Sequence, residues 1–172
     1  GSKRFLNLFA YTGTATCYAA DGGAKHTTTV DMSRPSLDWA RRNMERNGFA
    51  STSRPPEHEY VQADVIAWVQ EQRHTKNRWD LVFCDVPTFS NSSRMRGSWD
   101  VQRDHAELII GVSRLLTRNG SAIFSCNLRG FKPDVQKLAR AGVTLEDVTA
   151  ESIPEDFSRN AKVHHCYIVR RA

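Results

Sequence analysis

The sequence predicts an α/β protein in which helices cover both faces of a mostly parallel, seven-stranded sheet. Short apolar or β-branched runs alternate with stretches of helical periodicity along the 172 residues. Polar and acidic residues follow several of these runs directly, and in open α/β sheets the residues just beyond the strands bind ligands. The two observations together predict both the fold class and the edge of the sheet that carries the function.

Seven runs are predicted to be strands. They are "FLNLF" (5–9), "TTTVD" (27–31), "EYVQAD" (59–64), "WDLVFCD" (79–85), "SAIFSCN" (121–127), "HHCYIVRR" (164–171) and a weaker candidate, "LEDVTAE" (145–151).

A helix is predicted in "RPSLDWARRNMERNG", where Leu37, Ala40 and Met44 share one face and Gly48 is a plausible end. The Ser- and Pro-rich stretch "NGFASTSRPPEHE" then predicts a surface loop that leads to the third strand.

Composition predicts one globular domain spanning 1–172 with an appreciable core. No run approaches the ~20 apolar residues of a membrane span, and "GSKRFLNLF" lacks the features of a secretory signal. We therefore expect a cytoplasmic protein. The formal net charge of +5 suits a polyanionic partner.

The four cysteines are far apart in the sequence and show neither a CxxC pair nor zinc-type spacing. His164 and His165 precede Cys166, but adjacent residues of a strand point to opposite faces and cannot easily chelate one ion. We expect reduced thiols and no metal.

Three consecutive strand ends predict a site for adenosine. Gly13 stands alone in its turn, which is neither a GxGxxG fingerprint nor a phosphate-binding loop. Asp31 follows the second strand, about 20 residues beyond the glycine turn, where a carboxylate accepts both hydroxyls of a ribose. Asp64 and Val65 could accept the adenine amino group and cover its face. Taken singly, either aspartate could instead cap a helix.

An uncharged adenosine carrier in this architecture indicates S-adenosylmethionine, and the fold then resembles a Rossmann-like class I methyltransferase. The fourth strand ends in "DVPTFSNSSRM", where Asp85, Pro87 and Phe89 resemble the motif with which nucleic-acid methyltransferases hold an extruded base.

Longer sequence segments make the resemblance more specific. The chain resembles the C-terminal domain of the bifunctional bacterial 23S rRNA guanine methyltransferases of the K/L type through "LNLFAYTG", "TTTVDMS", "LDWARRN", "DVPTFSNSSRM", "WDVQRDH" and "FSCNLRGF". The resemblance implies transfer of a methyl group from S-adenosylmethionine to N7 of a guanine in 23S rRNA. It also implies that the chain is a fragment, without the family's RNA-binding and second methyltransferase parts and without the segment that precedes the first strand.

The resemblance assigns residues to two sites. The predicted cofactor-binding residues are Phe9, Tyr11, Thr12, Gly13, Asp31, Met32, Ser33, Asp64, Val65 and Asp85. The predicted base pocket, which is the catalytic site, consists of Asp85, Pro87, Phe89, Ser90 and Asn91.

The predicted RNA contacts are basic residues that follow the fourth and fifth predicted strands, Arg94, Arg96, Arg129 and Lys132. A base inside folded rRNA must swing out to reach the methyl group, and Phe89 could stack on it.

Two departures from the family pattern leave alternatives open. Val86 replaces a proline, which loosens a rigid dipeptide. Cys126 replaces an asparagine, and a related family of 23S rRNA cytosine-C5 methyltransferases uses a cysteine there as nucleophile. A cytosine-C5 enzyme and a catalytically impaired RNA-binding module are therefore the alternatives. A small-molecule methyltransferase would need a closed apolar lid, and "SNSSRMRGSWDVQRDH" is too polar for one.

Overall fold

The computed structural model describes residues 3–54, 56–91, 97–156 and 164–172. Strands and helices alternate along the chain, as the sequence predicts. The strands are β1 (Arg4–Leu8), β2 (His26–Asp31), β3 (His58–Gln62), β4 (Trp79–Val86), β5 (Phe89–Ser90), β6 (Trp99–Asp100), β7 (Leu116–Cys126), β8 (Val143–Asp147) and β9 (His165–Arg171). The helices are α1 (Thr14–Asp21), α2 (Arg34–Arg46), α3 (Val65–Gln72), α4 (Val101–Ser113), α5 (Val135–Arg140) and α6 (Thr149–Ser152).

Seven strands form the main sheet in the order β3-β2-β1-β4-β7-β9-β8. Strand β9 is antiparallel to its two neighbours, and the other pairs are parallel. Strands β5 and β6 form a separate antiparallel pair. The predicted seven-stranded, mostly parallel sheet is confirmed. Because the strand order reverses between β1 and β4, a ligand crevice is expected at their carboxyl ends.

Helix α1 packs against α2, and α4 packs against α3 and α5. The two groups cover opposite faces of the sheet, because Asn7 of β1 contacts α1 while Leu6 and Leu8 of β1 belong to the core that α3 and α4 complete. The predicted face of α2 packs inward, since Leu37, Ala40 and Met44 are all buried. Ser33 caps this helix by accepting the Ser36 N–H at 3.3 Å. The periodicity of the sequence therefore gives the orientation of α2 correctly.

Strand β1 is covered on both faces, as a central parallel strand must be. Leu6 and Leu8 belong to the main hydrophobic core. On the opposite face, buried Asn7 donates from Nδ2 to Thr16 Oγ1 at 3.0 Å, and Thr16 and Thr29 hydroxyls lie 2.9 Å apart. This polar network pairs groups that would otherwise be costly to bury, and it fixes α1 on β1 and β2.

Most predicted strand boundaries differ from the observed ones by one or two residues, and the two largest differences are at β7 and β8. Strand β7 begins at Leu116 rather than 121, because an irregularity in its pairing with β4 accommodates the "TRNG" residues that resemble a turn. Strand β8 ends at Asp147, whose Oδ1 accepts the Thr149 N–H at 2.9 Å and starts α6. A side chain that bonds to the main chain two residues on favours a turn over a continuing strand.

All four cysteines are free thiols, and Cys84, Cys126 and Cys166 are buried. Within the described ranges, no group of three or more His, Cys, Asp or Glu side chains is arranged to hold a metal ion. No helix in this part of the chain is long and apolar enough to cross a bilayer.

Candidate active site

A cavity of about 360 Å³ lies at the carboxyl ends of the central strands. Residues from β2, from β4 and from the segments after β1, β4 and β7 meet around it: Phe9, Asp31, Asp85, Val86, Pro87, Thr88 and Asn127. The cavity occupies the crevice expected where the strand order reverses. It brings together the two acidic residues that the sequence assigns to the cofactor and to the base.

The turn between β1 and α1 has an unusual backbone. Phe9, Tyr11 and Gly13 have φ angles of 56°, 49° and 73°. Aromatic residues rarely adopt this left-handed region, and strain of this kind concentrates at ligand sites. The turn also lies close to α2, since a Cβ added at Gly13 would lie 2.6 Å from the Ala40 Cβ. Only glycine fits this position without displacing the helix.

Gly13→Ala is therefore expected to lower the free energy of unfolding by about 2–4 kcal/mol, from left-handed strain plus a steric clash with α2. Urea unfolding measures the change. Gly48→Ala is the matched control, because Gly48 has φ +83° but no atom within 4 Å of its added Cβ. An equal loss in both variants would mean that the contact with Ala40 is unimportant.

The carboxylate of Asp31 is held by two backbone groups. Its Oδ2 accepts the Tyr11 N–H at 2.9 Å, and its Oδ1 accepts the Ser33 N–H at 2.8 Å. The two bonds tie the strained turn after β1 to the start of α2. A carboxylate has about four lone-pair sites, so these two bonds leave it the capacity to accept two further donors.

Asp64 begins α3. Its Oδ1 accepts the Ile66 N–H at 3.0 Å, so the capping role considered for this residue is confirmed. Val65 is the first residue of the helix, and its side chain is buried in the core. Met32 directly follows β2, and its carbonyl accepts a hydrogen bond from Nε2 of Gln62, the last residue of β3, at 3.2 Å. A groove of about 480 Å³ between α3 and α4 adjoins Asp64.

Asp85 projects from the end of β4 and is exposed at the cavity. Ser125 lies opposite it in β7 and donates its hydroxyl to Asp85 Oδ1 at 2.6 Å. The buried hydroxyl fixes the orientation of an exposed carboxylate. Ser125 was not predicted as a site residue, because its contact with Asp85 depends on how the ends of β4 and β7 align.

A buried tryptophan, Trp99, holds the segment 87–90 that follows β4. The indole Nε1–H of Trp99 donates to the Pro87 carbonyl at 2.7 Å, and Phe89 and Ser90 pair with Asp100 and Trp99. The Phe89 ring remains 56% exposed. An aromatic ring is thus held in water beside the cavity. Trp99 was not predicted as a site residue, because nothing in "SWD" indicates a contact with the segment that follows β4.

Cys126 faces away from Asp85. Successive residues of a strand alternate between faces, so Ser125 shares the face of Asp85 while Cys126 shares that of its pairing partner Val86. Both Val86 and Cys126 are buried in the core. Burial raises the pKa of the Cys126 thiol to about 11. A thiol in this position is a core residue and not a ready nucleophile.

Two of the predicted RNA contacts lie on one exposed segment after β7. Arg129 and Lys132 are both exposed, and the Lys132 main chain exchanges two hydrogen bonds with Gln102, at 2.8 and 3.0 Å. The other two predicted contacts, Arg94 and Arg96, lie outside the described residues. Asn91, predicted for the base pocket, is exposed and is the last described residue of the range 56–91.

Comparison with known proteins places the chain in a family. A family model of S-adenosylmethionine-dependent methyltransferases matches residues 1–162. The chain belongs to this family. The predicted fold class, the predicted methyltransferase class and S-adenosylmethionine as the methyl donor are thereby confirmed.

One curated relative is the ribosomal RNA large subunit methyltransferase K/L of Allochromatium vinosum, 49% identical over 168 residues. The match confirms the resemblance to the K/L type. It covers 98% of this chain but only 22% of that protein.

Solved structures show the same fold. The S-adenosylmethionine-dependent methyltransferase from Agrobacterium tumefaciens has a TM-score of 0.70 and 18% identity, covering 99% of this chain and 56% of that chain. The ribosomal protein L11 methylase from Lactobacillus delbrueckii subsp. bulgaricus has a TM-score of 0.67 and 15% identity, covering 99% of this chain and 71% of that chain. At these identities the two structures support the fold alone.

Proposed function

We propose that residues 1–172 form one methyltransferase domain that methylates N7 of an extruded guanine in 23S rRNA. The match to the K/L enzyme supports the class of substrate. The choice of N7 rests on one combination of features. Asp85 is an oriented carboxylate and Phe89 an exposed ring in the same segment, whereas the thiol of Cys126 is buried on the opposite face of the sheet. Such a site favours a base whose own lone pair is the nucleophile, so that no side chain of the protein has to attack.

The residues around the cavity fit S-adenosylmethionine. Asp31 would accept the ribose hydroxyls with Met32 and Ser33 beside it, while the turn after β1 would hold the methionine end through Phe9, Tyr11, Thr12 and Gly13. The fit rests on the strained turn and on the carboxylate that the turn orients. When bound, S-adenosylmethionine supplies an electrophilic methyl group carried on a positively charged sulfur.

Asp64 and Val65 would bind the adenine. Asp64 would do so while capping α3. Because the Val65 side chain is buried in the core, an adenine beside it would meet mainly its backbone.

The base pocket would hold the guanine by stacking and by hydrogen bonds. Phe89 offers a ring face in water, and a flipped base gains from stacking on an aromatic side chain. Ser90 and Asn91 follow it and would contact the base edge. Pro87 would set the wall of the pocket, since Trp99 fixes its carbonyl.

Guanine N7 needs little chemical assistance. It presents a lone pair and carries no proton, so no general base is required. Methylation makes the guanine ring cationic, and a nearby carboxylate stabilises that developing charge. Asp85 would fill this role, because Ser125 holds its orientation before the reaction starts.

Charge around the cavity would bring the RNA to this edge. Arg129 and Lys132 are exposed beyond β7 and would contact phosphates. For Arg94 and Arg96 the same role stays a prediction. A cytoplasmic location, where rRNA is made and modified in bacteria, belongs to the same proposal.

Cytosine-C5 methylation is the alternative that Cys126 raises. That reaction needs a thiolate to add to the ring, and a buried thiol with a raised pKa provides very little thiolate. Val86, the other departure from the family, fills the core opposite Cys126.

Cys126→Ser decides between these reactions. We expect methyl transfer to protein-free 23S rRNA to stay within about tenfold of the parent rate, because the nucleophile belongs to the base. The measurement is single-turnover transfer of labelled methyl, followed by mass spectrometry of the nucleosides. The expected product is N7-methylguanosine in both proteins.

Cys84→Ser is the matched control, since Cys84 is also a buried core thiol but lies in the interior of β4. The cytosine reaction would be established instead by three results together: no methyl transfer by Cys126→Ser, normal transfer by Cys84→Ser, and C5-methylcytidine as the product of the parent protein. An inactive parent that still binds RNA would favour the impaired binding module.

A further inference from the structure

The outward face of α2 carries an unusual combination of side chains. Pro35, Trp39, Arg42 and Arg46 recur at intervals of four, three and four residues, so they form one line along the helix. We name these four residues the α2 stripe. By helical periodicity the stripe lies roughly opposite the face that packs on the sheet. It is therefore the part of α2 that points furthest into solvent.

Trp39 differs from the other tryptophans of the chain. It is 51% exposed, whereas Trp68, Trp79 and Trp99 are 9%, 2% and 3% exposed. A single exposed apolar residue is ordinary on a protein surface. An exposed indole with an arginine, Arg42, three residues further along the same helix face is a different feature, because every nucleic-acid base can stack on it.

The arginines of the stripe are available for a partner. Arg42 and Arg46 are exposed, and neither forms an ion pair with another described residue. The other arginines of the helix proper are engaged, Arg34 with Asp38 at 3.0 Å and Arg41 over a tyrosine ring at 5.2 Å. The stripe itself contains no acidic residue. Its charge therefore suits a polyanion.

The stripe begins at the rim of the candidate active site. Helix α2 starts directly after Ser33, whose N–H is bonded to Asp31 in the cavity wall. Trp39 lies five residues beyond Arg34, about 7.5 Å further along the axis at 1.5 Å per residue. A strand of RNA that leaves the cavity over this rim would reach Trp39 first and Arg46 last.

We infer that the α2 stripe binds a single-stranded stretch of the RNA substrate, with an unpaired base stacked on Trp39 and phosphates on Arg42 and Arg46. The inference rests on the proposed action on RNA. It adds a second contact surface, distinct from the predicted basic residues that follow β4 and β7.

The test uses Trp39 as its own reporter. The probe is the oligonucleotide rU12, which contains neither guanine nor cytosine. Tryptophan emission of the chain should fall on addition of the probe, and this change should vanish in Trp39→Phe, which keeps an aromatic ring. Trp39→Ala should weaken binding of the probe on the order of tenfold, as loss of one stacking platform does.

The charge of the stripe is tested separately. Arg42→Ala should reduce the slope of log K against log salt by about 0.7, the value for one phosphate contact with a single strand. Arg170→Ala is the charge-matched control, because Arg170 is exposed on β9 and paired with Glu146 at 2.7 Å. Its salt slope should equal that of the parent.

The outcomes separate this inference from the proposed function. The parent protein could methylate 23S rRNA while the Trp39→Ala variant binds rU12 as tightly as the parent does. That result would refute RNA binding by the α2 stripe and leave the proposed reaction intact. A protein partner for α2 would then be favoured. Quenching that depends on Trp39, without N7-methylguanosine as product, would support the stripe and refute the reaction.

Discussion

Asp85→Ala is expected to lower the rate of methyl transfer by about 100-fold, the usual loss when a preorganised electrostatic partner is removed. The guanine becomes cationic as the methyl group arrives, and the carboxylate at the end of β4 is oriented toward the cavity by Ser125 at 2.6 Å. Asp85 is also among the predicted cofactor-binding residues, but affinity for S-adenosylhomocysteine should change far less than the rate, because the proposed main effect lies in the transition state. Single-turnover transfer to 23S rRNA and calorimetry with S-adenosylhomocysteine measure the two quantities.

Two further variants separate charge from orientation. Asp85→Asn keeps the shape and loses the charge, so its rate should be close to that of Asp85→Ala. Ser125→Ala keeps the charge but frees the carboxylate, and a smaller loss, of about tenfold or less, is expected from one hydrogen bond. In the double variant Asp85→Ala/Ser125→Ala the second change should add almost nothing, since Ser125 acts through Asp85.

A rate for Asp85→Ala within threefold of the parent would remove this carboxylate from the reaction. Additive losses in the double variant would instead show that Ser125 acts through the fold of β7. Thermal unfolding of each variant guards against a loss that comes from stability alone.

The main sheet could be predicted from the sequence because its central strands are buried on both faces. Such strands stand out as apolar or β-branched runs, as "FLNLF" and "TTTVD" do. The pairing of β5 with β6 could not be predicted, since each strand has only two residues and the contact depends on Trp99 reaching Pro87. The early start of β7 was hidden by "TRNG", which resembles a turn until the pairing with β4 is known.

The candidate site was predictable where a residue's position along one strand decides its role. Asp31 and Asp85 lie at the carboxyl ends of their strands, at the same edge of the sheet, so their place at the cavity follows from the order of elements. Partners that come from another element, such as Ser125, were not predictable, because strand order and register are set by the whole fold. The face that Cys126 occupies likewise needed the register with β4.

Asp31→Ala is expected to weaken binding of S-adenosylhomocysteine by about 2–3 kcal/mol, roughly 30- to 150-fold, with RNA affinity little changed. The carboxylate would lose its charged hydrogen bonds to the ribose. The loss would also release the Tyr11 and Ser33 N–H groups from their acceptor, at 2.9 and 2.8 Å. Asp38→Ala is the matched control, because Asp38 is an acid of the adjoining helix that pairs with Arg34 and should not affect the ligand.

A ligand without the ribose 2′-hydroxyl separates the two effects of Asp31. If the carboxylate accepts this hydroxyl, 2′-deoxy-S-adenosylhomocysteine should bind the parent on the order of tenfold more weakly than the normal ligand, while Asp31→Ala should bind both ligands almost equally. If Asp31 acts only by holding the turn after β1, removal of the hydroxyl should cost the same in both proteins. Calorimetry with the two ligands and the two proteins therefore assigns the ribose to Asp31 or refutes the assignment, whatever the turn contributes.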